Sequence, residues 1–231
     1  MPDAGLLTRS ALADPPGIPS EHALQLEDAQ WVQVTFEVDQ AAALAYMPAE
    51  VTRPIPCYAR LLVAEGSTGR ERLALAILGV GGRFRMMARN MHVDSLATGG
   101  AAAGTLTSQH HRGAVTLTRT GLEIAAAVDS SSGGVANIRL PQMYEVEPSM
   151  LRWDPWLTIA ATPAGAAAIA EVAVSAAVGR AYLSKAARVE LNAGLPRAHP
   201  WQQLRNLQTI SACYAEGSLL FGPPVIQQEL A

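Results

Sequence analysis

The chain has 231 residues, of which 49% are hydrophobic and 16% are charged, and its formal net charge is −3. This length and composition predict a globular protein with a sizeable core, and they exclude disorder over most of the chain. The small negative charge provides no basic field for nucleic acid or a membrane surface, so we expect a small-molecule partner instead.

The first 25 residues are rich in proline, glycine and alanine, and they predict an N-terminal arm ahead of a single domain over 26–231. The arm has no apolar core of the kind that a signal peptide requires, and the alanine-rich run Ala160–Val178 is interrupted by polar residues. We therefore expect a cytoplasmic protein. Cys57 and Cys213 are too few and too far apart for a disulfide framework or a zinc cluster, and they predict reduced, buried thiols.

The first clear element begins at Trp31. The stretch "WVQVTFEVD" alternates apolar and polar residues and contains several β-branched ones, a pattern typical of a half-buried strand. It is followed by "DQAAALAYMP", in which Asp39 is a suitable N-cap and Pro48 a suitable stop. The sequence therefore predicts a strand followed by a short helix.

Strand-like segments dominate the rest of the chain, separated by turns rich in glycine or serine. They are "CYARLLVAE", "RERLALAILGV", "RFRMMARNMHV", "GAVTLTR", "LEIAAAVD", "VANIRL", "WLTIAAT" and "NLQTISACYAEGSLLFG". The stretch "DSLATGGAAAG" interrupts the series, and Asp94 or Ser95 is placed to cap a short helix there. The pattern predicts an α+β domain built on a mostly antiparallel curled sheet or β-barrel, with a few short helices.

The segment Val178–Leu191 fits the period of a helix or of a strand. Gly179 and the β-branched residues at its ends favour the strand. A strand puts Ala181, Leu183 and Lys185 on one face. Lys185 is the single lysine of the chain, since the other sixteen cationic residues are arginines. Any mechanism that requires a side-chain amine must therefore use Lys185. The alternative is that the Lys185 side chain extends to solvent and takes no part in catalysis.

Three segments, taken in order, resemble the acetoacetate decarboxylase superfamily. They are "VTFEVDQAAALAYMPAEV", "RERLALAILGVGGRFRMMARNMHVDSLATG" and "HPWQQLRNLQTISACYAEGSLLFGPPVIQQEL". The resemblance extends from about Trp31 to Leu230, and it implies a decarboxylase-like barrel that assembles as a homo-oligomer.

The most specific motif of that superfamily is "GRE....PKK", in which the first lysine of the pair forms a Schiff base with a keto acid. A match without gaps from Asp94 onward lays Ala102, Ala103 and Gly104 over "GRE", and "QHH" at 109–111 over "PKK". The nucleophilic lysine is replaced by His110. Because imidazole forms no stable imine with a ketone, the resemblance implies a divergent member that lacks Schiff-base chemistry.

The same match supplies the candidate site residues. His110 is a candidate general acid or base, with Glu71, which falls on the active-site glutamate of the superfamily, as the second catalytic group. The candidate substrate-binding residues are an arginine for a carboxylate, a second histidine and two methionines for an adaptable lining: Arg89, His111, Met87 and Met91.

Simpler roles are open for each of these residues. His110 and His111 also suit a solvated loop, Glu71 a charged start of a strand, Arg89 a surface ion pair and the methionines a plain core. A metal site built from His92 and the histidine pair lacks the usual ligand spacing, and we predict no metal and no cofactor.

The sequence therefore predicts an enzyme, a lyase or cyclase of bacterial specialised metabolism, that acts on a carbonyl or polyketide-like compound by acid/base chemistry. Dehydration, isomerisation, cyclisation and decarboxylation are the candidate reactions. Two alternatives stay open. One is a cyclase or pericyclase that folds its substrate in an apolar barrel, and the other is a ligand-binding protein without catalysis.

Overall fold

The computed structural model describes residues 23–44, 51–52, 55–69, 71–84, 94–98, 104–107, 115–121, 123–130, 133–151, 153, 156–161, 166–191, 206–223 and 225–229. Strands dominate these residues. They are β1 (Leu24–Val38), β2 (Val51–Thr52), β3 (Tyr58–Thr68), β4 (Glu71–Phe84), β5 (Asp94–Thr98), β6 (Gly104–Thr107), β7 (Val115–Thr120), β8 (Glu123–Ser130), β9 (Gly133–Leu140), β10 (Met143–Val146), β11 (Trp156–Ala161), β12 (Ala167–Val172), β13 (Val174–Ser184), β14 (Arg188–Leu191), β15 (Asn206–Phe221) and β16 (Val225–Glu229). A short helix, α1 (Gln40–Leu44), follows β1, and a one-turn 3-10 helix covers Pro148–Met150.

Twelve strands form one large sheet in the order β10-β13-β15-β1-β3-β4-β5-β11-β12-β16, with β2 and β6 also paired to β4. The pair β5 and β11 is parallel, and the other pairs described in this sheet are antiparallel. The predicted fold class, a mostly antiparallel curled sheet with few helices, is confirmed.

The sheet curls because two of its long strands bend. Ala173 alone separates β12 from β13, so one bent strand pairs near both ends of the sheet. The strands β15 and β16 follow the same bend, since β15 pairs with β13 and β16 with β12. The backbone N–H of Gly222 donates to the carbonyl of Ala173 at 2.7 Å and supports the bend. The two bent segments therefore contribute strands near both ends of the large sheet, which curls the sheet.

A second sheet of four strands, in the order β14-β9-β8-β7, packs on one face of the large sheet. Its alternating buried residues meet alternating residues of β1 and β3, which is the packing expected for two amphipathic sheets. We call this layer the inter-sheet core, and its larger members are Phe36, Leu61, Ile124, Ile138, Leu140, Met143, Ile169, Tyr182 and Tyr214, with Val32, Val34 and Val63 between them.

The opposite face of the large sheet carries a separate apolar cluster around Trp31. A bulge at Glu27 and Asp28, where Asp28 has a φ of 45°, shifts the alternation of β1 by one residue. Leu26 and Trp31 therefore lie on the same face. We call this group the tryptophan cluster, and it comprises Leu24, Leu26, Ala29, Trp31, Leu62, Ala64, Val172, Val174, Ala215, Leu219 and Phe221.

The predicted helix after β1 is present, and it begins where the sequence indicates. The carboxylate Oδ1 of Asp39 accepts the backbone N–H of Ala41 at 2.9 Å and that of Ala42 at 3.1 Å. These are two of the N–H groups that lack a partner at the start of any helix. Asp39 is therefore the N-cap, and α1 ends within the described residues at Leu44.

Replacing Asp39 by alanine is expected to lower the free energy of unfolding by about 1 kcal/mol, because the two N–H groups lose their acceptor. Chemical denaturation of Asp39→Ala beside Asp39→Asn measures this change. The asparagine variant keeps an oxygen acceptor, so it should stay within about 0.5 kcal/mol of the parent protein. Equal losses in the two variants would contradict the capping role.

The predicted helix at "DSLATGGAAAG" is wrong where the structure describes it. Asp94–Thr98 form β5, and Gly104–Thr107 form β6. The local capping signal of Asp94 is overridden because β5 is hydrogen-bonded to β4 on one side and to β11 on the other. The residues between β5 and β6 lie outside the described part.

The strand assignment of Val178–Leu191 is confirmed, with a break that the sequence did not indicate. The strand β13 ends at Ser184, bends follow at Lys185 and Ala186, and β14 begins at Arg188 in the other sheet. The chain therefore crosses between the sheets here. Lys185 lies in this crossing and not on the strand face that was predicted for it.

Cys57 and Cys213 are buried, and neither forms a disulfide, as predicted. Burial raises the pKa of the Cys213 thiol to about 11, so this thiol stays protonated and unreactive at neutral pH. No helix in the described ranges combines the length and apolar character needed to cross a membrane. Residues 1–22 lie outside the described ranges, and the N-terminal arm and single-domain assignment stay predictions.

Candidate functional site

The start of β4 and the end of β6 meet at one end of the large sheet. Glu71 is the first residue of β4, two residues after the turn at Gly69, and it pairs with Thr68 of β3. On the other edge of β4, Leu73 pairs with Thr107, the last residue of β6. The end of β6 therefore lies two residues along β4 from Glu71, which is about 7 Å.

The histidine pair follows β6 closely in the chain. His110 and His111 come three and four residues after Thr107, between β6 and β7, and they lie outside the described residues. Three residues of chain span at most about 11 Å. The described backbone thus brings Glu71 and the strand that leads to His110 to the same end of the sheet.

The other predicted site residues are not brought to this end by the described backbone. Arg89, Met87 and Met91 lie outside the described residues, between the end of β4 at Phe84 and the start of β5 at Asp94. The strand β4 contains 14 residues, so its two ends are about 40 Å apart if it is fully extended. Their segment therefore leaves and rejoins the sheet at the end away from Glu71.

Lys185 is exposed to solvent, and its Nζ lies 5.3 Å from the ring centroid of Tyr144. The register of the sheet runs from Leu183 across Cys213, Gln33 and Leu62 to Ile77. Ile77 is six residues along β4 from Glu71, or about 20 Å. The single lysine of the chain thus lies beyond this row, far from the end where β4 begins.

A polar cluster that the sequence analysis missed joins the two sheets. Nη1 of Arg119 in β7 donates to Oε1 of Glu216 in β15 at 2.6 Å. The guanidinium Cζ lies 4.8 Å from the ring centroid of Tyr182 and 5.5 Å from that of Tyr214. The hydroxyl of Tyr214 lies 2.7 Å from Glu216 Oε1 and 2.9 Å from Gln30 Oε1. We call these five residues the arginine–tyrosine cluster.

Electrostatics fix the protonation states in this cluster. A hydrogen bond with Tyr182 is the largest of the effects that raise the pKa of Arg119, so the guanidinium stays cationic. Burial, followed by the hydrogen bond to Glu216, raises the pKa of Tyr214 above its usual range, so the phenol stays neutral at physiological pH. Tyr214 therefore serves as a hydrogen-bond donor and is not a base.

The cluster shares an end of the sheet with Glu71. Glu216 pairs with Gln30, Gln30 with Glu65, and Glu65 with Ala74 of β4. Ala74 is three residues along β4 from Glu71, or about 10 Å. Because Arg119 lies on β7, the first strand after the histidine pair, the cluster anchors the strand that emerges from that segment.

Two sequence signals would have revealed the cluster. In "VTLTRT", Arg119 stands two residues after Leu117, at a position that alternation assigns to the packed face. In "CYAEG", Tyr214 and Glu216 are also two residues apart and therefore share a face. Inward charges at alternating positions on two separate strands are typical of an ion pair between sheets.

A double-mutant cycle on Arg119→Met and Glu216→Gln is expected to give a coupling energy of about 1 kcal/mol. Each side chain is 29% exposed, so solvent weakens the ion pair and the value stays modest. Urea denaturation of the four proteins measures it. Arg119→Lys should behave almost like Arg119→Met, because lysine lacks the planar group that stacks on Tyr182 and Tyr214. Additive single effects would contradict a direct pair.

In the described part of the chain, no three histidine, cysteine, aspartate or glutamate residues gather closely enough to hold a metal ion. The alternative site at His92 and the histidine pair falls on residues outside this part. Within the described residues, this end of the sheet therefore carries the start of β4 with Glu71, the end of β6, and the paired guanidinium of Arg119.

These features define a two-sheet protein of the acetoacetate decarboxylase-like fold, and comparison with known structures supports this assignment. Acetoacetate decarboxylase from Legionella pneumophila matches with a TM-score of 0.66 at 11% identity, covering 91% of this chain and 89% of that chain. An acetoacetate decarboxylase-like enzyme from Sphingomonas wittichii matches with a TM-score of 0.61 at 14% identity, and the match covers 94% of this chain and 97% of that chain. The enduracididine biosynthesis enzyme MppR, complexed with pyruvate, matches with a TM-score of 0.61 at 12% identity, and the match covers 90% of each chain.

No family model matches the sequence, and no curated protein matches it either. At identities of 11% to 14%, the structural likeness establishes the fold and leaves the chemistry to the residues of this chain. The resemblance seen in the sequence segments therefore has its structural counterpart in the fold.

Proposed function

We propose that this chain is an enzyme with the acetoacetate decarboxylase-like fold that acts on a carbonyl or polyketide-like small molecule by acid/base chemistry, without a Schiff base. One observation carries the proposal. The described register brings Glu71, at the start of β4, to the end of β6, and the chain reaches His110 three residues after β6 ends.

The proposed chemistry is a proton transfer next to a carbonyl group. His110 removes or returns a proton, because imidazole is the side chain best matched to proton transfer near neutral pH. Glu71 is the second acid/base group, or it orients a hydroxyl of the substrate. Dehydration, isomerisation, cyclisation and decarboxylation all pass through such a step, so the lyase or cyclase assignment belongs to the proposal.

The position of Lys185 supports a mechanism without an imine. A Schiff-base lysine needs a lowered pKa, which desolvation or a neighbouring cation provides. Lys185 is instead exposed and lies against Tyr144. Because it is the only lysine, no other side chain offers a primary amine.

The structural neighbours support a small carbonyl compound as the substrate. One of them is a biosynthetic enzyme complexed with pyruvate, and others are acetoacetate decarboxylases. Bacterial specialised metabolism is the context that we propose for this chain. His111, Arg89, Met87 and Met91 as substrate-binding residues, a homo-oligomer, a cytoplasmic location and the absence of a cofactor stay predictions.

Two measurements on parallel samples of the same protein test the proposal. The protein is incubated with pyruvate or acetoacetate in D₂O, and proton NMR follows deuterium incorporation next to the carbonyl. A parallel sample is treated with borohydride and analysed by mass spectrometry. We expect catalysed exchange without a covalent adduct. An adduct on Lys185 would overturn the mechanism, and an absence of exchange with an extended panel of keto acids and ketones would overturn the reaction class.

The tryptophan cluster favours a second candidate function, a cyclase that folds its substrate against an apolar wall. Trp31, Phe221 and Leu219 are fully buried on the sheet face opposite the inter-sheet core. Such a wall promotes a reaction by holding reacting atoms close together. In that case, substitutions of His110 and Glu71 would have small effects, and enlarging Ala64 or Ala215 beside Trp31 would have large ones.

A further inference from the structure

Among the residues that the structure describes, the indole N–H of Trp31 finds no hydrogen-bond partner. Trp31 is 0% exposed, and its Nε1 is a buried polar atom without an acceptor. A buried donor that loses water and gains no partner costs about 1 to 3 kcal/mol. Such groups are rare in native proteins, and a ligand that supplies the partner is one physical explanation.

The residues that stand in one row with Trp31 on the neighbouring strands carry no side-chain acceptor. In the register of the sheet, Trp31 stands between Ala64 of β3 and Ala215 of β15, and Ala181 of β13 stands beyond Ala215. All three are buried alanines. Small apolar residues thus flank the Trp31 indole on both sides, and they offer no side-chain partner to its Nε1–H group.

We propose that the Trp31 N–H donates a hydrogen bond to the carbonyl oxygen of a ligand with an apolar body. This inference rests on the proposed function, because it assigns the carbonyl class of substrate to the same end of the sheet. Ala64 pairs with Leu75 of β4, four residues or about 13 Å along that strand from Glu71. The apolar cluster accommodates the body of the ligand, and the indole fixes its oxygen.

A second aromatic ring covers the indole. Trp153 packs edge-on against Trp31, with centroids 5.5 Å apart and an interplanar angle of 67°. Trp153 is half-buried, and it follows the one-turn 3-10 helix, whose backbone bonds run from Met150 N to Glu147 O and from Leu151 N to Pro148 O. Both bonds are internal to the turn. The ligand therefore reaches the indole by displacing Trp153, at the cost of one ring contact.

The test uses two probes of equal shape, 2-heptanone and 2-methyl-1-heptene, in which an oxygen is exchanged for a methylene group. Proton–nitrogen NMR of the full chain resolves the indole N–H signals of its four tryptophans, and the spectrum of Trp31→Phe assigns that of Trp31. We expect 2-heptanone to shift the Trp31 signal downfield in a saturable way. The alkene should leave it unshifted, because it accepts no hydrogen bond.

Variants complete the experiment. Trp31→Phe should bind 2-heptanone about fivefold to tenfold more weakly, because it loses one hydrogen bond to the ligand. In the absence of ligand its thermal unfolding midpoint should be unchanged, because the substitution also removes the unpartnered buried N–H group. Tyr182→Phe removes one polar atom from an aromatic ring of the inter-sheet core, on the other face of the sheet, so it is the matched control and should bind as the parent protein does. No saturable shift of Trp31, or equal affinity in parent and Trp31→Phe, would overturn the inference. Binding is read without turnover, so an inactive protein that still shifts the signal would refute only the catalytic proposal.

Discussion

Replacing His110 by alanine is expected to slow deuterium exchange next to the carbonyl of pyruvate or acetoacetate by about 100-fold to 10,000-fold. This is the usual contribution of a positioned acid or base to a proton-transfer step. The rate is measured by proton NMR in D₂O at several pH values. The parent protein should show a titration between about pH 6 and 7, typical of imidazole. His110→Ala should lose that titration together with the rate.

The adjacent histidine provides a matched control. Neighbouring residues on an extended chain face opposite ways, so His111→Ala should keep the pH dependence and lose at most about tenfold in rate. Glu71→Gln keeps the size of the side chain and removes its charge, and it should lower the rate by about tenfold to 100-fold. Full exchange in His110→Ala would refute the assignment of His110, and a loss confined to His111→Ala would transfer the role to that residue.

Replacing Gly217 by alanine is expected to lower the free energy of unfolding by at least about 3 kcal/mol. Gly217 lies in β15 with a φ of 154°, and a Cβ atom there would stand 2.0 Å from the carbonyl oxygen of Ala177. Both the clash and the backbone angle act on the pairing of β13 with β15. Urea denaturation monitored by circular dichroism measures the change.

Gly179 on the facing strand is the control for this substitution. It lies at the register shift between Val178 and Arg180, and a Cβ there would meet only the carbonyl oxygen of Glu216 at 3.6 Å, an ordinary contact. Gly179→Ala should therefore change the free energy of unfolding by less than about 1 kcal/mol. Similar losses in the two variants would show that the clash at Gly217 relaxes by a movement of the backbone.

The sequence predicted the strands better than the elements decided by contacts elsewhere in the fold. Local strand-like patterns identified β1, β3, β4, β7, β8, β9 and β15, because strand periodicity and the turn residues at strand ends can be read from neighbouring residues. The stretch "DSLAT" carried a local signal for a helix cap at Asp94. Its pairing with β4 and β11, which depends on residues far along the chain, overrode that signal.

The candidate site was predictable only in part, because the register of strand pairing decides which residues lie close together. The match to a known motif selected Glu71 and His110, and the pairing of β4 with β3 and β6 brings their strands to one end of the sheet. Local patterns do not reveal that the segment containing Arg89 follows the far end of a 14-residue strand. The Arg119–Glu216 pair leaves an alternation signal on each of two strands, but neither signal identifies its partner, which is 97 residues away.

The pairing of β1 with β15 has a consequence for the synthesis of the chain. Leu24 pairs with Phe221, and Val38 with Asn206. One edge of β1 therefore stays unpaired until β15, about 180 residues later in the chain, has been synthesised. At ordinary rates of translation, β1 leaves the ribosome about 10 to 40 s before its partner. An unpaired edge of a long strand can associate with other chains. Protection of nascent β1, by a chaperone or by slow release, should therefore decide how much protein folds in a cell.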